Sequence, residues 1–146
     1  MSRVDYEALE PSKDFLLMCY AGKPFSGMAF ENDADGVLMT ETSFIDGQKS
    51  GISRQWSAAS RLIREEWFAL NILHGTAREW HDNGACKSDG RYELGICIQE
   101  QVWDAQGTQL KDYRIDEAGA QFATLKKLRS SQIGAIAGAA HLLNSA

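Results

Sequence analysis

Cysteine is scarce and long apolar runs are missing, and each absence excludes a class of protein. Cys19, Cys86 and Cys97 are the three cysteines, an odd set with neither metal-like nor redox-like spacing. That excludes a disulfide framework and fits reduced thiols used as small core residues. The apolar run Phe15 to Cys19 is far too short to span a bilayer. Before it stand Asp5, Glu7, Glu10 and Asp14, where a secretory signal would need a basic start and an apolar core. A cytoplasmic protein is therefore expected. The chain also has no phosphate loop and no nucleophile elbow.

What is present is globular in composition, with 44% hydrophobic residues in a chain of 146, and a single domain is the expectation. The net charge of −5 is unevenly placed. Residues 1–26 carry three basic and four acidic residues, residues 27–115 nine and fourteen, and residues 116–146 three and two. The middle segment thus holds the whole excess. An acidic surface repels nucleic-acid backbones and anionic lipid and attracts basic partners.

That middle segment is periodic. Gly27, Gly51 and Gly75 recur every 24 residues, and a fixed period of this size is the signature of a repeat architecture. Gly51-Ile52-Ser53-Arg54-Gln55-Trp56 aligns with Gly75-Thr76-Ala77-Arg78-Glu79-Trp80, with glycine, arginine and tryptophan in register. Phe30 is expected in the aromatic place of the first copy; Gly95 and Trp103 serve a stretched fourth. A second element, small-x-apolar-x-x-acid, follows each aromatic and ends at Glu41, Glu65, Asp89 and Asp112. Runs such as Ile52 to Ser57 alternate apolar with polar and suit half-buried strands. Asp35-Gly36 and Asn83-Gly84 are dipeptides favoured in type I′ hairpin turns, Ala58-Ala59-Ser60 predicts a looser turn, and Asp46-Gly47 connects the first unit to the second.

The expected fold is mainly β: an elongated, twisted antiparallel sheet of four stacked β-hairpin repeats (residues 27–115), because a lone hairpin is only marginally stable and must stack on its neighbours. Trp56, Trp80 and Trp103 should form one stripe, read either as a hydrophobic spine or as a ligand-binding ladder. Such an array needs caps. Residues 1–26 should supply one, with Phe15-Leu16-Leu17-Met18-Cys19-Tyr20 as a buried strand against the first hairpin. Residues 116–146 should supply a helical cap. Asp116 is its predicted N-cap, Phe122, Leu125 and Leu128 share one face, and Lys126, Lys127 and Arg129 suit the dipole at its end. Ile133, Ile136, Ala137, Ala140 and Leu143 continue at helical spacing.

These residues resemble the MORN-variant repeat proteins, and within them the bacterial antitoxin or immunity proteins of polymorphic toxin systems. The likeness covers residues 20 to about 113. It is carried by Lys23-Pro24-Phe25-Ser26-Gly27-Met28-Ala29, by Asp46-Gly47-Gln48-Lys49-Ser50-Gly51, and by His74-Gly75-Thr76-Ala77-Arg78-Glu79-Trp80-His81-Asp82-Asn83-Gly84. It departs at Ser60, at Cys86 and in the fourth unit. The resemblance implies a protein made beside a toxin, which it binds and neutralises in the producing cell.

The acidic repeat region suits a cognate toxin with a basic surface. Glu65, Glu66, Glu79 and Asp82 are the first candidates for the contact. No nucleic acid, membrane, metal or cofactor is expected. His74, His81 and Cys86 match no familiar metal spacing, and His74 occupies the position before the repeat glycine that Ser26 and Ser50 fill elsewhere. Glu65 and Glu66 would point to opposite faces of a strand, which does not suit an acid-base pair. A repeat scaffold or lipid-associated adaptor is the second function class, and an enzyme with an unfamiliar site the third.

Overall fold

The computed structural model describes residues 2–131. Nine strands form one open sheet: β1 (Ser2–Asp5), β5 (Gly27–Asn32), β6 (Leu38–Ile45), β7 (Gln48–Trp56), β8 (Leu62–Ala69), β9 (Ile72–Trp80), β10 (Cys86–Glu93), β11 (Ile96–Trp103) and β12 (Gln109–Arg114), in that order. All neighbours are antiparallel except β1, which runs parallel to β5. Three short strands, β2 (Glu10–Pro11), β3 (Met18–Tyr20) and β4 (Lys23–Pro24), make a second small sheet. The helix α1 (Ala120–Arg129) follows β12. The fold is therefore mainly β, with one long antiparallel-dominated sheet, no closed barrel and one α-helix among the described residues. That helix is too short to cross a membrane.

Two kinds of turn alternate along the array. Within each unit a longer loop is closed by paired backbone hydrogen bonds: Asp33 N–H to Val37 C=O, Ser57 to Arg61, His81 to Ala85 and Asp104 to Thr108, each 2.8 or 2.9 Å. Only its fourth residue, Gly36, Ser60, Gly84 or Gly107, has positive φ. Asp35-Gly36 and Asn83-Gly84 therefore do not form the expected type I′ turns. Ser60 adopts the same conformation (φ 60°), so the second loop is no looser than the others. Between units, the two-residue turns Asp46-Gly47, Leu70-Asn71 and Leu94-Gly95 have positive φ at both residues, the type I′ signature. Leu70 and Leu94 tolerate a left-handed backbone, worth ~1–2 kcal/mol of strain each, because both side chains pack into the core beneath α1.

These loops correct the alignment of the units. Asn32, Trp56, Trp80 and Trp103 each immediately precede a loop and pair across it with Leu38, Leu62, Cys86 and Gln109. Asn32, not Phe30, occupies the aromatic place of the first copy. Gly95 belongs to an inter-unit turn, and Ile98 lies where the repeat glycine would be, five residues before Trp103. The fourth unit is thus not stretched; it lacks the glycine. Each hairpin also carries a register shift beside the loop, at Glu31/Asn32, Gln55/Trp56, Cys86/Ser88 and Val102/Trp103. Extra residues of this kind sharpen strand twist.

The residue before the repeat glycine has a defined task. Ser26 Oγ accepts the Asp46 N–H at 2.9 Å, and His74 Nδ1 accepts the Leu94 N–H at 3.0 Å. Each holds the inter-unit turn of the following copy. A histidine can replace the serine because an unprotonated ring nitrogen is also an acceptor.

The buried core lies in two places, both reached from the inter-unit turns. Leu9, Phe25, Ala29 and Phe44 form one cluster, joined by Val4, Tyr6 and Met18 from the N-terminal segment. Phe25 and Phe44 are 5.9 Å apart between ring centroids, and Tyr6 lies 6.3 Å from Phe44. The other cluster, Ala69, Leu94 and Leu125, gathers Leu70, Ile96, Ile98, Phe122 and Leu128.

The N-terminal segment adds a strand to the first hairpin, with altered membership, whereas α1 packs at the inter-unit turns and leaves the edge strand β12 uncovered. Phe15 and Leu16 are exposed rather than buried, only Met18–Tyr20 is extended, and the strand that pairs with the first hairpin is β1. Gly27 lets β1 approach, since a side chain there would sit 2.4 Å from the Ser2 carbonyl oxygen. The helix starts at Ala120 behind Gly119, while Asp116 Oδ1 instead accepts the Ala118 N–H in the preceding turn. Phe122, Leu125 and Leu128 face the core as expected. The segment Ile133 to Leu143 lies outside the described residues.

Candidate functional site

Alternation of side chains along each strand gives the sheet two faces. On the first, Glu41, Arg54, Glu65, Arg78 and Asp89 stand directly opposite one another on five successive strands, β6 to β10. The row alternates in sign at every step. Arg54 Nε donates to Glu65 at 3.0 Å and Arg78 Nε to Asp89 at 3.2 Å. Arg3 bonds Glu41 at one end and stacks over the Phe30 ring, 4.6 Å from its centroid. The row continues through Gln101 to Asp112. The recurring arginine and the recurring acid of the repeat are thus cross-strand partners between and within units.

The second face carries the two caps and, between them, an open polar groove of about 350 Å³. Its lining includes Tyr6, Glu31, Thr42, Ser53, Arg54 and Glu66. Thr42 and Ser53 hydroxyls are 3.2 Å apart, and Arg64 pairs with Glu79 at 2.9 Å.

The four carboxylates selected from sequence do not share one surface. Glu65 belongs to the charge row on the first face. Glu66 lies in the groove on the second face, without an ion pair of its own among the described residues. Glu79, on that same face, is held by Arg64 and, at 3.8 Å, by Lys87. Asp82 sits in the third long loop, where its backbone carbonyl accepts a 2.6 Å bond from Arg61 while its carboxylate makes no ion pair among the described residues.

The rim formed by the long loops concentrates carboxylates. It bears Asp33, Asp35, Asp82 and Asp104 against one base, Arg61. Asp33 and Asp104 use one carboxylate oxygen on two backbone N–H groups of their own loops, all at 2.9 Å. The opposite rim, with its helix, bears Lys126, Lys127 and Arg129.

The remaining reactive groups are occupied structurally. Burial raises the thiol pKa values of Cys86 and Cys97 and pushes the Tyr92 hydroxyl up to about 12. His81 Nε2 lies 2.9 Å from the Trp103 carbonyl oxygen. Trp56, Trp80 and Trp103 recur on every second strand, ~10 Å apart, half-buried and without ring-on-ring pairing among the described residues. No group of three or more histidine, cysteine or acidic side chains is placed to hold a metal among the described residues.

Comparison with family models and with curated proteins yields no match. Among solved structures, the crystal structure of TarM aligns with 62% of this chain at a TM-score of 0.39 and 14% identity. The chain spans 18% of the length of that protein. A likeness of that size carries no argument about fold or function.

Proposed function

We propose that the chain is an immunity protein, an antitoxin that binds and neutralises a cognate bacterial toxin through a protein interface in the cytoplasm. One observation carries most weight: Glu41, Glu65, Glu79 and Asp89 of the sheet are held in ion pairs, whereas the Asp35 and Asp82 carboxylates on the long-loop rim have no ion pair among the described residues. The array so presents a rigid acidic edge to a basic partner, and complementary charge speeds encounter and rejects wrong partners. The repeat motifs that resemble MORN-variant immunity proteins point the same way. Glu66 is the sequence-selected acid that stays available on a face; Glu65 and Glu79 act mainly within the sheet.

The deciding experiment is rescue of cells expressing the toxin encoded beside this chain, with capture of the toxin by purified protein. Asp35→Lys with Asp82→Lys should weaken capture at least ten-fold, and Glu65→Lys should act chiefly through stability. Absence of rescue by the unaltered chain would overturn the immunity reading.

A further inference from the structure

The last strand of the array is an edge whose next neighbour the repeat itself specifies. In three earlier units the recurring acid is followed, directly opposite on the next strand, by a residue of the following copy: Glu41 by Arg54, Glu65 by Arg78, Asp89 by Gln101. Asp112 is the fourth such acid, and no strand pairs with the outer side of β12 among the described residues. Gln109, Leu110, Lys111 and Asp112 are all exposed, Leu110 at 66%.

Backbone polarity fits an added strand. Ile115 donates its N–H to Ile98 C=O at 2.8 Å. By the alternation of an antiparallel ladder, Tyr113 and Lys111 also face β11, and Asp112 turns its own N–H and C=O outward. Edge strands are commonly protected by a lysine that stands off the edge. Here the bases fold back: Lys111 Nζ is 2.7 Å from Glu100 and lies over the Tyr113 ring, and Arg114 donates to Gln99. Asp112 is left as the outward charge of an otherwise open edge.

We infer that β12 accepts an extended segment of a partner protein as a tenth, antiparallel strand, with an arginine or lysine of that segment opposite Asp112. Strand addition takes affinity from main-chain hydrogen bonds and specificity from alternate side chains. A second copy of this chain is a poorer occupant. The two symmetric registers that pair most of β12 with itself set Lys111 against Lys111 or Asp112 against Asp112, and like charges directly opposite are destabilising. The toxin as source of the strand rests on the immunity proposal; the edge itself does not.

The array's own β7 sequence, Gln48–Trp56, is a ready probe, because Arg54 is the residue that meets the recurring acid. Titrated as a synthetic peptide into the full chain, it should shift the amide resonances of Gln109–Arg114 and slow their hydrogen exchange. The same peptide with Arg54→Glu should bind about five-fold more weakly, the size of a cross-strand charge pair. Asp112→Pro removes the outward N–H and leaves the β11 ladder intact, and should reduce binding at least ten-fold with an unchanged circular dichroism spectrum. Asp112→Arg should reverse the preference between the two peptides, which keeps the test open if the proline variant misfolds. Equal binding of both peptides to every variant, or shifts outside β12, would overturn the inference. Self-association of the unaltered chain that Asp112→Pro abolishes would replace the partner with a second copy. Toxin rescue by the unaltered chain and equally by Asp112→Pro would sink the toxin as source of the strand and leave the immunity reading standing; rescue by neither, with peptide binding intact, would sink the immunity reading and leave the edge standing.

Discussion

The two covered regions of the sheet and the strands between them are held by different forces. The N-terminal segment buries Phe44 with Tyr6 and Phe25 over the first hairpin, and α1 packs Leu125 against Ala69 and Leu94 at the inter-unit turns, leaving the β12 edge open. Between them the strands β7 to β10 bury no large side chain on either face except near the turns. They rely on the backbone ladder, half-buried tryptophans and a row of alternating charges. Burial of a large hydrophobic side chain contributes ~1.5–3 kcal/mol, whereas an exposed cross-strand ion pair contributes ~0.2–1 kcal/mol. The caps therefore dominate stability, and the middle is free to present charge.

Deleting a cap side chain should have the largest effect. Phe44→Ala should cost ~3–5 kcal/mol and Leu125→Ala ~2–5 kcal/mol in urea unfolding, because each leaves a cavity in a small core. Matching losses from Trp80→Ala would erase the distinction between the covered regions and the strands between them. A sharper contrast uses two glycines with nearly equal φ. Gly47→Ala would push a methyl to 2.8 Å from Leu17 Cβ and 2.9 Å from the Met18 carbonyl at the N-terminal cap, while Gly84→Ala meets nothing within 4 Å. Gly84→Ala should cost about 1 kcal/mol from backbone strain alone, and Gly47→Ala clearly more, read from the same unfolding curves.

Smaller effects belong to the charge row. A double-mutant cycle on Arg54→Ala and Glu65→Ala should return a coupling of at most about 1 kcal/mol, reduced by added salt. A larger coupling would make the row a structural element equal to the caps. The helix carries one ion pair that reports on acid. Arg129 donates to Glu93 at 2.5 and 2.8 Å, and this hydrogen bonding holds the Glu93 carboxyl below its ordinary pKa of 4.5. A depressed carboxylate pKa stabilises the fold above that ordinary value and loses its contribution as pH falls through the folded pKa. Protection of the α1 amides, with exchange rates corrected for their intrinsic pH dependence, should therefore fall on acidification below about pH 4.5, and Glu93→Gln should flatten that dependence.

Much of the array is legible in the 24-residue spacing, in the paired arginine and acid, and in the turn glycines. The errors have physical causes. Asp35-Gly36 has the composition of a type I′ turn but closes a longer loop, while Leu70-Asn71 makes a type I′ turn without glycine because Leu70 gains contact with the core under α1. Phe15 and Leu16 look like buried strand residues, yet they lie exposed outside the short strand β3. Gly95 looks like a repeat glycine because it precedes Trp103, but it lies 20 rather than 24 residues after Gly75 and loop geometry assigns it to a turn. Of the candidate site, the total acidity was visible. The division of Glu65 from Glu66 across the sheet follows from alternation, whereas the neutralisation of Glu79 by Arg64 and Lys87 required the register.

Local residue order by itself determined that this chain builds repeated antiparallel hairpins, because alternation, turn chemistry and a fixed period are properties of short segments. Tertiary structure alone decided which carboxylates remain free and where the array stops. Both depend on cross-strand register and on caps drawn from distant parts of the chain. Ion pairing is set by which residue lies opposite, and an open edge such as β12 exists only once every other strand has found its neighbour.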